Sequence, residues 1–389
     1  MGMRRLDQQR KDKTVNPVSP KATIKAKPED SLTIQVELIT PLFGGGVKAG
    51  VVDGKHWLRA SEIKAGMRFW WRVLFGRGAA TPEAMWTAEG LLFGRPAKYR
   101  NEDGGQMGGA GIFTLEVAAE EVRASLDAKN YAKPNTPESV AYFAAAVAPI
   151  KTLLGPGDGK LVGKLHIRWR EKANDQGRHQ VLKSLAAFLA FGGVGSRTRK
   201  GAGALAPFGL EDAIRLKHYP VRGFSDLDML KPEKPLGSAV QNPACFFGGH
   251  GSVELMQACG NHRTLLCAWK EVRKASRALA LQDSPFEPRL PLGLPLSTKK
   301  GPKSTKATDR LASPVWGGVT RVWPEWNPKG PAAQRVNAAT SVLFLLGDPP
   351  AFGPVPVNSR TDLEKIRRLI KSVLESMNFK TAWSISDHE

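Results

Sequence analysis

The sequence predicts an α+β protein built from two ferredoxin-like (RRM-like, βαββαβ) domains with long loop insertions. Three observations carry this. Segments 32–38 and 161–170 alternate apolar and polar residues with the period of a half-buried strand. Segments 61–75, 181–191 and 361–377 place apolar residues at helical spacing. The strand–helix–strand–strand–helix–strand order of these signals is clear in the first half and recurs less sharply in the second.

In the first half, Leu32, Ile34, Val36 and Leu38 share one face of the opening strand. A glycine-rich loop follows from Pro41 to Leu58, and Ser61 predicts an N-cap for a helix running to about Phe75. Ile63, Met67, Trp70, Trp71 and Leu74 fall on one side of that helix, which places the tryptophans in the core and leaves His56 and Trp57 as the better base-stacking candidates. Strands follow at 112–117 and 161–170, the latter with Leu165, Ile167 and Trp169 inward and Lys164, His166, Arg168 and Arg170 outward. A helix over 181–191, a glycine-rich loop and a strand at 204–210 close the unit. In the second half, strands are expected at 251–256, 315–323, 341–346 and 383–385, with helices at 262–281 and 361–377. Residues 285–314, rich in proline and lysine, read as a loop. The predicted organisation is a disordered basic arm (1–30), a first domain (31–210) and a second domain (211–389).

Charge narrows the function. The chain carries 57 Lys and Arg against 36 Asp and Glu, a net +21 over 389 residues, which favours a nucleic-acid partner. No apolar run approaches the ~20 residues of a spanning helix, and the start does not lead into a signal-peptide core. Three cysteines make no disulfide framework, so a cytoplasmic protein with no membrane partner is expected.

Two segments concentrate cations. Gly192 to Gly203 combines glycines with Arg197, Arg199 and Lys200 and has no acid. Backbone N–H groups of Gly195, Ser196, Thr198 and Gly201 are expected to turn toward an anion there, with the cations adding charge. On the first helix, Lys64, Arg68 and Arg72 repeat every four residues, with Arg59 and Ser61 just ahead and Lys48 and Lys55 in the preceding loop. No acid lies four residues before any of the three, so an exposed line free to meet RNA backbone is expected.

These residues carry a resemblance. Ile39-Thr40-Pro41-Leu42-Phe43-Gly44-Gly45-Gly46 and Leu58-Arg59-Ala60-Ser61-Glu62-Ile63-Lys64-Ala65-Gly66-Met67-Arg68-Phe69-Trp70-Trp71-Arg72 resemble the N-terminal signature of the first RAMP subunit family of type III-B (Cmr) CRISPR effector complexes. Glu89-Gly90-Leu91-Leu92-Phe93-Gly94 is similar to a following E-x-x-x-F-G element, and 192–203 to the glycine-rich loop of RAMP proteins. Arg310-Leu311-Ala312-Ser313-Pro314 resembles an R-x-x-S-P element. The basic arm lies outside the signature, and Ala65 stands where glycine is expected. The resemblance implies a non-catalytic subunit of a guide-RNA ribonucleoprotein for antiviral defence. Its partners would be guide RNA near its 3′ end, single-stranded target RNA and other RAMP subunits, with no cofactor.

Two alternatives compete. Some RAMP proteins cut RNA, and His56 or Asp53 in the loop before the first helix would serve as base or acid, although Asp53-Gly54 is also a common turn pair. A purely protein-scaffolding subunit is the other. Cys245, His250, Cys259 and His262 form C-x4-H-x8-C-x2-H, which matches no standard zinc spacing, so no metal is expected.

Overall fold

The computed structural model describes residues 30–44, 51–76, 79, 81–95, 109–122, 126–127, 152–155, 161–222, 224–231, 253–258, 296–298, 301–303, 315–323, 339–346 and 360–385. The basic arm up to residue 29, the 262–281 helix, the R-x-x-S-P element and all four residues of the zinc alternative lie outside them.

In the first half, β1 (Ser31–Leu38) leads through β2 (Leu42–Phe43) to α1 (Ala60–Phe75) and α2 (Pro82–Phe93). Then come β3 (Phe113–Ala119), β4 (Leu126–Asp127), β5 (Thr152–Leu154), β6 (Val162–Trp169), α3 (Asp175–Phe191), β7 (Leu205–Pro207) and α4 (Leu210–Arg215). The main sheet runs β3-β6-β1-β7, all pairs antiparallel. Helices α1 and α3 pack on each other over one face of it, with Met67, Trp70, Leu185 and Phe188 meeting Ile34, Val36, Leu165 and Ile167 in one buried cluster. Gly66 allows this approach, because a Cβ there would collide with the Phe188 ring. The strands β2, β5 and β4 form a small separate sheet.

The register fixes what the opposite face of the main sheet displays. Ser31, Thr33 and Gln35 lie across from Arg168, His166 and Lys164, which pair in turn with Thr114, Glu116 and Ala118. Thr33 Oγ1 lies 2.7 Å from His166 Nδ1.

The second half repeats the arrangement. β8 (Val253–Ala258), β11 (Val315–Val322), β12 (Ala339–Leu346) and β13 (Phe379–Ile385) form an antiparallel sheet of order β11-β12-β8-β13. Numbered by chain order within each sheet, both read 2-3-1-4. Helix α5 (Arg360–Ser376) packs on β13, and its Lys371 Nζ lies 2.7 Å from the buried Glu254 carboxylate. Short strands β9 (Leu296–Thr298) and β10 (Gly301–Lys303) pair antiparallel, so part of the segment expected to be loop is a hairpin.

The halves meet through β11. Trp316 stacks on Phe69 with ring centroids 4.7 Å apart, and its Nε1–H donates to the Phe191 carbonyl at 2.5 Å. Arg321 Nη1 lies 2.5 Å from the Glu37 carboxylate, and the Tyr219 hydroxyl donates to the Arg321 carbonyl at 3.0 Å.

Candidate nucleic-acid interface

Helix α1 starts at Ala60 with Arg59 in the cap position, and no side-chain hydrogen bond caps it. Ser61 sits exposed in the first turn and is not the N-cap expected from sequence. The turn is set instead by Asp53. Its Oδ1 accepts the N–H groups of Lys55 (3.1 Å) and His56 (3.0 Å), and its Oδ2 lies 3.0 Å from Arg59 Nη2 and 3.3 Å from His56 Nδ1. Those bonds, led by the His56 N–H, hold the Asp53 carboxyl below its ordinary pKa. This is the turn role of an Asp-Gly pair. Trp57, expected as a stacking candidate, is instead buried, and its Nε1–H donates to the Glu120 carbonyl at 3.2 Å. His56 is exposed.

The cationic line of α1 is not a free face. Helix α2 runs beside it and presents Glu89, whose side chain is only 3 % exposed. Arg68 Nη1 lies 3.2 Å from Oε1 and Arg72 Nε 2.5 Å from Oε2, while Arg68 Nη2 also donates to the Gly94 carbonyl. The neutralising acid absent from the helix itself therefore arrives from the next one. Lys64 stands apart from this clamp, with Nζ 5.3 Å from the centre of the Phe113 ring. Burial lowers the Lys64 pKa, and the charges of Arg68 and Arg170 add to the effect. Lys64 and Arg68 open onto a cleft of about 490 Å³ that Arg95 and Arg170 also line.

The glycine-rich loop serves mainly to bind protein. Ser196 N–H donates to the Phe43 carbonyl (2.7 Å), Gly203 N–H to Pro41 (2.8 Å), Val194 N–H to Gly203 (2.8 Å) and Gly195 N–H to the Glu62 carboxylate. Lys200 and Gly201 close turns on Arg197 and Thr198 at 2.9 and 3.0 Å. The expected set of N–H groups around one anion is thus corrected at Gly195, Ser196 and Gly201: their donors go to protein acceptors. Arg197 adopts a left-handed φ of 64°. Arg199 lies 5.0 Å over the Trp316 ring, its carbonyl accepts the Gly317 N–H at 2.9 Å, and Lys200 bridges to Gly317. Loop and helix cations do not share a cavity: the loop faces β11, whereas Lys64 and Arg68 face α2 and β3. Lys48 lies outside the described residues.

The displayed face of the main sheet, where an RRM-like module stacks bases on aromatics, holds no Phe, Tyr or Trp at the nine register positions given above, and His166 is the one ring among them. His179 and His218 meet edge to face at 4.6 Å between ring centroids, and burial, with the nearby charges of His179, Lys183 and Lys217, brings His218 down to about 4. Neither imidazole lines the cationic cleft. Among the described residues, no cluster of three metal-ligating side chains occurs, and no helix is long and apolar enough to cross a membrane.

Arg95 and Arg170 are the site residues that sequence reasoning missed as interface candidates. Arg170 was legible as an outward cation of its strand, but only the fold brings it to Lys64.

Residues 35–206 match the RAMP superfamily model. Among solved structures, Cmr1 from Pyrococcus furiosus in its apo form is similar at 15% identity, covering 91% of this chain and 98% of that one, with a TM-score of 0.50. A chain of the type III-B Cmr-beta complex bound to cognate target RNA is similar at 12% identity, covering 87% of this chain and 99% of that one, with a TM-score of 0.50. A comparison with curated protein sequences finds no match.

Proposed function

We propose that this chain is a non-catalytic RNA-binding subunit of a type III-B CRISPR ribonucleoprotein. In this reading it consists of two ferredoxin-like domains, 31–210 and 211–389, and acts in the cytoplasm in antiviral defence. It holds the 3′ region of the guide RNA and admits single-stranded target RNA beside other RAMP subunits. The observation that carries the reading is likeness of fold over nearly the full length of both chains to Cmr1, together with the RAMP superfamily match at 35–206. The repeated 2-3-1-4 strand order supports two ferredoxin-like units, and the +21 charge supports an RNA partner. Sequence specificity then comes from base pairing while the protein reads backbone and shape.

Cleavage is the weaker reading. Both Asp53 oxygens are occupied by its own turn and by Arg59, which leaves it poorly placed to take a proton from a 2′-hydroxyl. The test is a gel series with labelled single-stranded RNA of guide length, incubated with the full chain in Mg²⁺ or in EDTA. Retarded, full-length RNA in both conditions is expected. Shortened products that disappear in Asp53→Ala or His56→Ala would overturn the non-catalytic assignment.

A further inference from the structure

The cleft beside α1 gathers four cations from three separate places in the fold. Lys64 and Arg68 come from α1, Arg95 follows the end of α2, and Arg170 follows β6. Backbone bonds fix the two latecomers. Arg95 and Gly109 exchange N–H···O bonds at 3.0 and 3.1 Å, and Arg170 N–H donates to the Ile112 carbonyl at 2.8 Å. Lys172 ties the rim, its Nζ donating to the Ala110 carbonyl at 2.5 Å. Among the described residues, no carboxylate lines the space. Glu89 reaches Arg68 at 3.2 Å but does not itself line the cleft. Burial lowers the Lys64 pKa and the charges of Arg68 and Arg170 add to it, so an anion entering the space would relieve repulsion at Lys64. The volume of about 490 Å³ is within the range of a small-ligand site and exceeds what a bare phosphate needs. Phe93 and Phe113 lie beneath the cleft floor, each 1 % exposed, with Arg68 and Lys64 over their rings.

We infer that this cleft binds a backbone phosphate, with its attached nucleoside, of single-stranded RNA, and that Arg95 and Arg170 are phosphate ligands beside Lys64 and Arg68. Guanidinium groups suit the task because their fixed N–H fork matches two phosphate oxygens at once. Arg72 takes no part, being held on Glu89 away from the cleft. The inference rests on the RNA-binding reading above and locates its principal contact.

Fluorescence anisotropy with a labelled single-stranded RNA of guide length tests it on the full chain. The double variant Arg95→Ala/Arg170→Ala is expected to bind about 10-fold more weakly at moderate salt, with the slope of log K against log salt reduced by about one. Its melting temperature should not fall, because the change removes charges that repel one another. A control of equal charge loss, Arg215→Ala/Lys217→Ala outside the cleft, should change binding far less. Equal weakening by both pairs would make the effect one of net charge and overturn the cleft. RNA binding unaffected in the double variant, with loss only of UMP binding or of an acidic protein partner, would overturn it too. If wild-type protein fails to bind RNA even at low salt, the function proposed above falls together with this site. If wild type binds and the double variant matches it, only the site falls.

Discussion

At the scale of single residues, Glu89 has the clearest structural task. Its buried carboxylate takes Arg68 on one oxygen and Arg72 on the other, so it joins α1 to α2 and sets where both guanidinium groups point. Removing one partner of such a pair leaves the remaining charges poorly compensated. Glu89→Ala is therefore expected to destabilise the fold by about 2–3 kcal/mol, less than for a fully buried pair because both arginines are partly exposed. Glu89→Gln, which keeps an acceptor, should cost less. Thermal melting checks this, and a melting temperature unchanged in Glu89→Ala would show that the clamp contributes nothing. The same geometry changes how helix variants must be read. Replacing Lys64, Arg68 and Arg72 together removes the clamp along with the charge, so weaker RNA binding in that triple variant mixes lost stability with lost contacts. Among the described residues, Arg95 and Arg170 form no ion pair of that kind, so variants there separate the two effects.

At the scale of elements, the glycine-rich loop is a structural joint between β2, α1 and β11. Gly203 shows this most directly: it holds a φ of 64°, and a Cβ there would collide with the Val194 carbonyl. Gly203→Ala should cost at least about 2 kcal/mol, from the left-handed backbone and the clash together, and lower the melting temperature with or without RNA. An unchanged melting temperature would return the loop to a solvent-exposed role. Elements with strong periodicity were readable from sequence. β1, β6, β11 and β12 fall within two residues of expectation at each end, as does α5, because alternation and helical spacing are imposed by burial on one side. Helix α3 begins at Asp175, ahead of the expected Val181, because its first turn is polar and the N-cap Asn174, whose side chain accepts the Gly177 N–H, was not weighed. Helix α2 was missed although Thr81-Pro82 is a start signal, with Thr81 accepting the Ala84 N–H at 3.1 Å. Missing α2 hid Glu89, and without Glu89 the α1 cations looked free. The glycine loop misled for a related reason: glycine composition signals tight backbone approach but does not say whether the approaching group is a phosphate or another strand.

At the scale of the whole molecule, two sheets of identical strand order are joined through β11, with Trp316 packed on Phe69 and Trp70 and Arg321 paired with Glu37. The cations recruited into that joint, Arg199 and Arg321, act on protein, whereas the cleft cations Lys64, Arg95 and Arg170 face an open space with no acid among the described residues that line it. The order of the strands was legible from the order of the periodic segments, but which cations are held by protein depends on contacts between segments far apart in sequence. The central claim is that the protein reads RNA through its backbone and not its bases, and the salt dependence of binding tests it most directly. Two single-stranded RNAs of equal length and unrelated sequence should bind the full chain with affinities within about threefold of each other. Both should show the same steep fall of log K with log salt, a slope of about −2 or steeper if three or more phosphates are neutralised. Affinity that is flat in salt, or that differs strongly between the two sequences, would contradict a backbone-reading subunit.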